Sequence, residues 1–333
     1  MTISPNVTNT FTGPLPIASY LATPALCTLQ TCPLTWDGVV LSAFTYIPVL
    51  SGNVVLLAIF AALLLPQFYL SIRYKVWGYL VAMVFGLALE IIGYTGRVQM
   101  HYNPFTQQPY LTQLICLTIA PAFFSGAVYL CLSRIVILNG LVASRFAPRT
   151  YTIVFVIFDF ISLCLQGVGG GIAATGNTNS TVNTGRWIMI GGLLWQVVCT
   201  AIFIVVCADY YLRVRLMNPT TTDTEIIAGD EDAKLIRASL HFKLFLFGLA
   251  VATTGIFTRS IFRVAELWGG FNGSLENQEI PFMILEGGVI AASCIALTLG
   301  HPGWAFQGYW GEVNFSLKGN GSMKWPWTKV IRT

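Results

Sequence analysis

Long apolar stretches alternate with short polar segments along most of this chain. A helix that crosses a bilayer needs about 20 predominantly apolar residues. Seven stretches are long enough, and we place the predicted spans near 40–65, 76–97, 111–138, 151–172, 187–211, 242–264 and 280–300. The pattern therefore predicts an all-α integral membrane protein, a bundle of seven transmembrane helices.

The spans divide the chain into three predicted parts. Residues 1–39 form a polar N-terminal tail that is rich in Thr, Pro and Asn and contains no Lys or Arg. Residues 40–303 form the seven-span domain, and residues 304–333 form a C-terminal tail in which tryptophans alternate with lysines. The N-terminal tail lacks the charged and apolar regions of a cleaved signal peptide, so we expect the first span to act as the targeting signal.

The placement of the basic residues predicts the orientation of the bundle. The loops after spans one, three and five, the C-terminal tail and the adjoining helix ends hold 14 of the 18 basic residues: Arg73, Lys75, Arg134, Arg145, Arg149, Arg213, Arg215, Lys234, Arg237, Lys243, Lys318, Lys324, Lys329 and Arg332. The opposite side holds Arg97, Arg186, Arg259 and Arg263. Cytoplasmic loops carry an excess of Lys and Arg, so we predict an extracellular N-terminus and a cytosolic C-terminus.

Composition supports a membrane protein and argues against nucleic-acid binding. Only 10% of the residues are charged and the mean hydropathy is +0.69, whereas a soluble domain carries about 25% charged residues. The net charge of +4 comes from basic residues in short loops between apolar spans. We therefore read the positive charge as a signal of topology, with no nucleic-acid partner.

Two kinds of modification are predicted on the outer side. Asn6, Asn179 and Asn272 each begin an Asn-X-Ser/Thr triplet and are candidate glycosylation sites. Cys27 and Cys32 lie five residues apart in the polar tail. An extracellular tail permits a disulfide between them, although the spacing does not require one.

The second span carries the first cluster of polar residues at helical spacing. Glu90, Tyr94 and Arg97 stand at i, i+4 and i+7 and so project from one face. Glu90 and Arg97 lie roughly 10 Å apart along the axis, so each needs a partner on another helix. An ionisable group at bilayer depth costs about 2.5–3.5 kcal/mol on insertion scales, which marks these residues as functional candidates. The alternative is a polar clamp that holds helices together and binds nothing.

Further polar residues lie at helical spacing in four other spans. They are Ser125 and Tyr129 in span three, Asp159 and Gln166 in span four, Arg259, Arg263 and Glu266 in span six, and Glu286 in span seven. Such faces are least costly when they point at each other around a water-accessible cavity, here in the outer half of the bilayer with Asp159 near its middle. For Arg263 and Glu266 the alternative is an ordinary i, i+3 pair at a helix end.

Several kinds of chemistry have no candidate residues. The chain contains no GxxxxGK[ST] phosphate loop, so it is not itself an ATP-driven pump. It has three histidines, and none forms an intramembrane cluster with acidic residues that predicts a metal site. We therefore expect no metal, no cofactor and no enzymatic activity.

Five separate motifs resemble those of one known family. They are EIIGYTGR at residues 90–97, APAFFSGAVY at 120–129, DFISLCLQGVGGG at 159–171, RSIFRVAE at 259–266 and HPG at 301–303. Together they are similar to the fungal lipid-translocating exporter family, the RTA-like or aminocholesterol-resistance-like seven-span proteins. The resemblance covers roughly residues 40–303.

The resemblance implies a function but departs from the family at one place. The family usually carries a tyrosine-containing segment and an aspartate early in span seven, where this chain reads FMILE at residues 282–286. Glu286 keeps the carboxylate with one more methylene, which changes the reach of a pocket. The family implies fungal membranes, most often the plasma membrane with endomembranes as the alternative, and sphingoid-base export, lipid asymmetry or resistance to toxic amphiphiles.

Two functions follow as hypotheses. In the first, the protein translocates amphipathic lipids or lipid-like amphiphiles: Glu90, Glu286 and the deeper Asp159 receive an ammonium head group, and arginines bind a phosphate or balance the acids when the site is empty. In the second, the protein is a receptor-like lipid or stress sensor, with a signalling or trafficking partner at the cytosolic loop 212–241.

Overall fold

The computed structural model describes residues 10–13, 16–37, 39–42, 44–138, 148–176, 178–216, 236–269, 275, 278–306 and 310. Within this part of the chain, seven helical segments are long and apolar enough to cross a membrane. Spans one to seven are Leu50–Arg73, Trp77–Tyr102, Gln107–Leu138, Pro148–Thr175, Asn179–Leu216, Leu240–Trp268 and the segmented stretch Glu279–Ala305. The predicted seven-helix membrane bundle is confirmed.

Span one differs from its predicted bounds of 40–65. The helix begins only at Leu50, because Pro48 disfavours helical backbone at the residue before it and Val49 is extended. Upstream, Val39–Val40 pairs antiparallel with Thr35–Trp36 as a short hairpin. The helix then continues through Pro66 to Arg73, since neighbouring helices tolerate an interior proline in a membrane span.

Span five is also longer than predicted. It starts at Asn179 rather than near residue 187 and contains 38 residues. At 1.5 Å per residue this is roughly 57 Å, well beyond the hydrocarbon core of about 30 Å. Hydropathy marks only the apolar middle of such a helix, so its polar ends were missed.

Close packing between spans two and three depends on glycine in span two. A Cβ added at Gly86 would lie 2.4 Å from the ring of Phe124, and one at Gly96 would lie 2.8 Å from the carbonyl oxygen of Pro109. These contacts let the two backbones approach, as small residues do in membrane helix pairs. They bring Glu90 and Arg97 up against span three.

Span seven is a helix of three segments. Glu279–Phe282 is α-helical, Met283–Gly288 forms a π-helical turn, and Val289–Leu299 is α-helical again. The π turn widens the helix at Glu286. Single π turns inside membrane helices are frequent at functional sites.

The N-terminal tail forms a small folded unit in its described part. A short helix, Ile17–Ala22, precedes a disulfide between Cys27 and Cys32, whose Cα atoms lie 5.4 Å apart. Both cysteines are buried in a cluster with Tyr20, Leu41 and Phe105. Since Phe105 lies in the loop between spans two and three, the tail packs onto the bundle.

Candidate functional site

Four charged side chains of spans six and seven form one buried ion-pair network. Arg259 Nη2 lies 2.6 Å from Glu286 Oε1, and Arg263 Nη1 lies 2.7 Å from Glu266 Oε2. Arg263 Nε also lies 3.6 Å from Glu286 Oε2. The i, i+3 pair expected for Arg263 and Glu266 is therefore present as part of this larger arginine–glutamate network.

Span three supplies acceptors that complete the network. Pro121 has no N–H, so the carbonyl of Leu117, four residues earlier, has no intrahelical partner. Arg259 Nη2 donates to this carbonyl oxygen. Arg263 Nη2 donates to Thr118 Oγ1 at 3.0 Å. A neighbouring helix thus satisfies the carbonyl that the proline leaves free.

Glu90 and Tyr94 of span two lie beside this network. Glu90 is 1% exposed and interacts electrostatically with Arg259, Arg263 and Glu286. Tyr94 is fully buried, and its hydroxyl lies against Gly287, where an added Cβ would be only 2.4 Å away. The structure thus brings polar residues of spans two, six and seven together, as the sequence predicted.

Arg97 has a separate set of partners, all from other parts of the chain. Its guanidinium donates to Asn53 Oδ1 at 3.0 Å, Gln113 Oε1 at 3.1 Å and Tyr46 Oη at 3.1 Å. Glu279 Oε1 lies 3.8 Å from Arg97 Nη2, and the ring of Phe282 lies 4.0 Å from the guanidinium. The predicted need for partners on other helices is confirmed. Each of the three guanidinium nitrogens donates a hydrogen bond, and the side chain has no exposed surface. Arg97 therefore joins spans one, two and three with the start of span seven.

Tyr46 lies outside the spans and shows how tightly this end of the bundle is closed. Burial raises the pKa of the Tyr46 hydroxyl above its ordinary value, and the charge of Arg97 opposes that rise. The hydroxyl is therefore neutral at physiological pH and accepts the hydrogen bond from Arg97. The tail segment before span one thus contributes directly to the Arg97 site.

Asp159 in span four has a different environment. Its Oδ2 accepts a hydrogen bond from Tyr129 Oη at 3.0 Å. Its Oδ1 accepts none from the described residues, although the residue is only 4% exposed. No described Arg or Lys interacts with it electrostatically. Asp159 is therefore a buried carboxylate without a cation beside it in the described part of the chain.

Gln166 binds across to span five. Its Nε2 donates to Ser162 Oγ at 2.6 Å and to Gln196 Oε1 at 3.2 Å. Ser162 in turn donates to the carbonyl of Gly192 at 2.7 Å. Ser125 lies beside Tyr129, the partner of Asp159, and the two line a small gap between spans three, five and six.

The predicted site residues therefore form three groups in the described structure: Glu90 and Tyr94 with the arginine–glutamate network, Arg97 with its own partners, and Asp159 and Gln166 on span four. The single shared vestibule expected from the sequence does not follow from these contacts. Binding of substrate by these residues remains a prediction.

Two cavities in the described structure lie along span four. The first, about 280 Å³, lies between spans two, three and four; Asp159 lines it with Ala82, Ala122, Phe123, Gly126, Leu130, Thr152, Val156, Phe160 and Leu163. The second, about 240 Å³, lies between spans three and four and reaches Met189 of span five; Gln166 lines it with Thr118, Leu163, Gly167, Gly170 and Gly171 among others. We call them the Asp159 cavity and the Gln166 cavity.

The glycine triplet of span four contributes both to helix packing and to a cavity wall. Gly169 faces span five, where an added Cβ would lie 2.6 Å from the carbonyl oxygen of Gly185. Gly170 and Gly171 line the Gln166 cavity instead. The triplet does not break the helix, because span four continues to Thr175.

Sequence reasoning missed neutral polar residues that hold the spans together. Asn53 and Gln113 bind Arg97, and at the other end of the bundle Gln67 donates to Thr298 Oγ1 at 2.8 Å. Ser71 also lies within hydrogen-bond distance of His301, at 3.1 Å. A buried amide inside an apolar span was the available signal, because such a group needs a hydrogen-bond partner in lipid.

Some predicted positions lie outside the described residues, and for others the structure does not test the prediction. Asn6 and Asn272 lie outside them, as do residues 217–235 of the predicted partner loop 212–241. Asn179 is the first residue of span five. Glycosylation at these positions and a cytosolic partner remain predictions.

Comparison with known proteins identifies relatives. Residues 83–309 match the family described as RTA1 like protein. The sphingoid long-chain base transporter RSB1 of Saccharomyces cerevisiae is 31% identical over 285 residues, which covers 79% of this chain and 74% of the relative. Protoporphyrin uptake protein 1 of the same yeast is 26% identical over 220 residues, covering 65% of this chain and 66% of the relative. No solved structure matches.

Proposed function

The chain belongs to the RTA1-like family, and on this premise we propose that it translocates amphipathic lipids with a positively charged head group, sphingoid long-chain bases in particular. The observation that carries the proposal is the 31% identity over 79% of this chain to a protein named as a transporter of these bases. A second relative is named as an uptake protein, which supports movement of a substrate over signalling.

The interior of the bundle supports this substrate class by its charge. A sphingoid base has one ammonium group and one long apolar chain, so it requires an acidic group at depth and an apolar surface beside it. Glu90, Glu286 and Asp159 are buried carboxylates within apolar spans. Arg259 and Arg263 balance the first two while no substrate is bound. A buried charge is costly in lipid unless it is paired in this way.

We further propose that the direction is export across the plasma membrane, with the N-terminus outside and with Asn6, Asn179 and Asn272 as glycosylation sites. The excess of basic residues on one side of the bundle supports this orientation. Since the sequence has no nucleotide-binding loop, transport is facilitated or coupled to an ion gradient.

Reconstitution tests the proposal directly. The purified full chain is placed in liposomes containing a long-chain base with a fluorescent tail, and an impermeant quencher reports how much probe remains protected in the inner leaflet. We expect the protected fraction to equilibrate at least about tenfold faster than in protein-free liposomes, because the protein supplies a path for the charged head group.

The control is a probe with the same tail and a neutral hydroxyl head group, whose exchange should change much less. Equal exchange of the base with and without protein would contradict the proposal. The receptor-like alternative gains support if the protein binds the base without moving it and a cytosolic partner co-purifies only in its presence.

A further inference from the structure

We infer that the ammonium group of a single-chain amine binds Asp159 and that its chain lies in the groove along span four, an inference that rests on the proposed function and names its binding site. The other carboxylates that the structure describes in the spans each have an arginine partner or neighbour. Glu266 and Glu286 are ion-paired, Glu90 interacts with Arg259, and Glu279 lies 3.8 Å from Arg97. Among the described residues, Asp159 has Tyr129 as its one hydrogen-bond partner and no arginine neighbour.

An unfilled acceptor with no cation beside it among the described residues makes Asp159 the best match for an ammonium group. Tyr129 occupies Oδ2, and Oδ1 accepts no hydrogen bond from the described residues. A buried carboxylate oxygen without a partner is costly, and a bound ammonium removes that cost by donating a charge-assisted hydrogen bond. Glu286, by contrast, already binds Arg259 and must first give up that partner to receive an amine.

The Asp159 cavity opens toward the surrounding lipid. Phe160 and Val156, which line it, are 66% and 43% exposed on the outer surface of the bundle. In a bilayer these side chains contact acyl chains. An amphipathic amine therefore reaches Asp159 sideways from the membrane, without passing the closed end of the bundle at Arg97.

The two cavities form a groove along one face of span four. Asp159 and Gln166 are seven residues apart, so they share a face and lie roughly 10 Å apart along the axis. Leu163, between them, lines both cavities. The apolar walls suit an alkyl chain, and Gln166 Oε1, which accepts no hydrogen bond from the described residues, is available to accept one from a hydroxyl group farther along the groove.

Glycines line the groove, and substituting them is a way to test whether the groove binds the chain. Gly126 lines the Asp159 cavity, and Gly167 and Gly171 line the Gln166 cavity. A Cβ added at any of the three would have no neighbour within 4 Å. A Cβ at these positions meets open space, so we expect larger side chains there to fill the groove with little change to the surrounding packing.

Equilibrium binding to the full chain in nanodiscs tests the inference. The probes are radiolabelled sphinganine, which carries the amine, and 1-octadecanol, which has the same chain length without it. We expect Asp159→Asn to weaken sphinganine binding at least about tenfold and to leave the weaker octadecanol binding unchanged, because it removes one charge-assisted contact. We expect Gly126→Leu to weaken both, because it occupies the space for the chain.

Gly191→Leu is the matched control, since Gly191 also has nothing within 4 Å of an added Cβ but lines neither cavity. It should bind both probes as wild type does. Each variant is compared with wild type by size-exclusion profile and tryptophan fluorescence, and Gly167→Leu replaces Gly126→Leu if that variant does not fold. Wild-type sphinganine affinity in both Asp159→Asn and Gly126→Leu would overturn the inference.

The liposome assay separates this inference from the proposed function. If wild-type protein moves the base and Asp159→Asn moves it equally fast, the site is wrong and the function stands. If wild-type protein binds sphinganine in a manner that depends on Asp159 but moves no lipid, the function is wrong and the site stands.

Discussion

The arginine–glutamate network and the Asp159 cavity are two solutions to the same problem, an acidic side chain inside a membrane. In the network, Arg259 binds both Glu286 and the carbonyl freed by Pro121, so three spans are joined through one guanidinium. In the cavity, Tyr129 is the one hydrogen-bond partner of Asp159 among the described residues, and open space lies beside the carboxylate. In the first arrangement the charged side chains hold helices together. In the second, the carboxylate of Asp159 is available to bind a cation.

Glycine shows the same contrast between the two regions. Near the network, a Cβ added at Gly287 would meet the side chains of Tyr94 and Leu56 and force them to shift. Along the cavity, Gly126 has nothing within 4 Å of an added Cβ. One region is closed and the other is open, which implies that stability and binding depend on different residues.

Breaking the network should have the largest effect. Arg259→Leu leaves Glu286 without its closest cation, and loss of one partner of a buried ion pair costs about 3–5 kcal/mol. We expect a large fall in the apparent melting temperature, measured by tryptophan fluorescence in detergent. The control is Arg213→Leu, which removes a half-exposed pair with Asp209 and should cost under about 1 kcal/mol. Equal effects of both changes would show that the network does not hold the spans together.

The two glycines should respond to alanine with opposite signs. Gly287→Ala forces a methyl group to within 2.4 Å of the Tyr94 hydroxyl and 2.5 Å of Leu56 Cδ1, so we expect a loss of about 1–3 kcal/mol. Gly126→Ala meets nothing and improves helix propensity, so we expect a gain of up to about 1 kcal/mol. Thermal unfolding of the two variants, compared with wild type, measures both changes in stability. A gain for Gly287→Ala would contradict the close packing at span seven.

Neutralising Asp159 should have the smallest effect on stability. Asp159→Asn removes a buried charge with no cationic partner among the described residues and keeps an acceptor for Tyr129, so the melting temperature should stay the same or rise by the equivalent of about 1 kcal/mol. Glu286→Gln, the same change inside the network, should lower it. If both variants lose stability equally, Asp159 has a structural role like that of Glu286.

The sequence by itself determined the architecture, because apolar length reports membrane spans and lipid forces their backbones into helices. Helical spacing also identified which polar residues share a face, as for Glu90 and Arg97. It misplaced the start of span one, where Pro48 rather than hydropathy sets the boundary. Neutral partners such as Gln113 gave only a weak signal, since one amide changes the mean hydropathy of a span very little.

Only the tertiary structure decided which acids are paired and which one is not. Asp159 and Glu286 are similar in sequence, each a lone carboxylate in an apolar span. Their difference arises from the distance and rotation between helices: Arg259 of span six faces Glu286, and no described cation faces Asp159. Spacing along one helix carries no information about the rotation of the next, so pairing required the packed bundle.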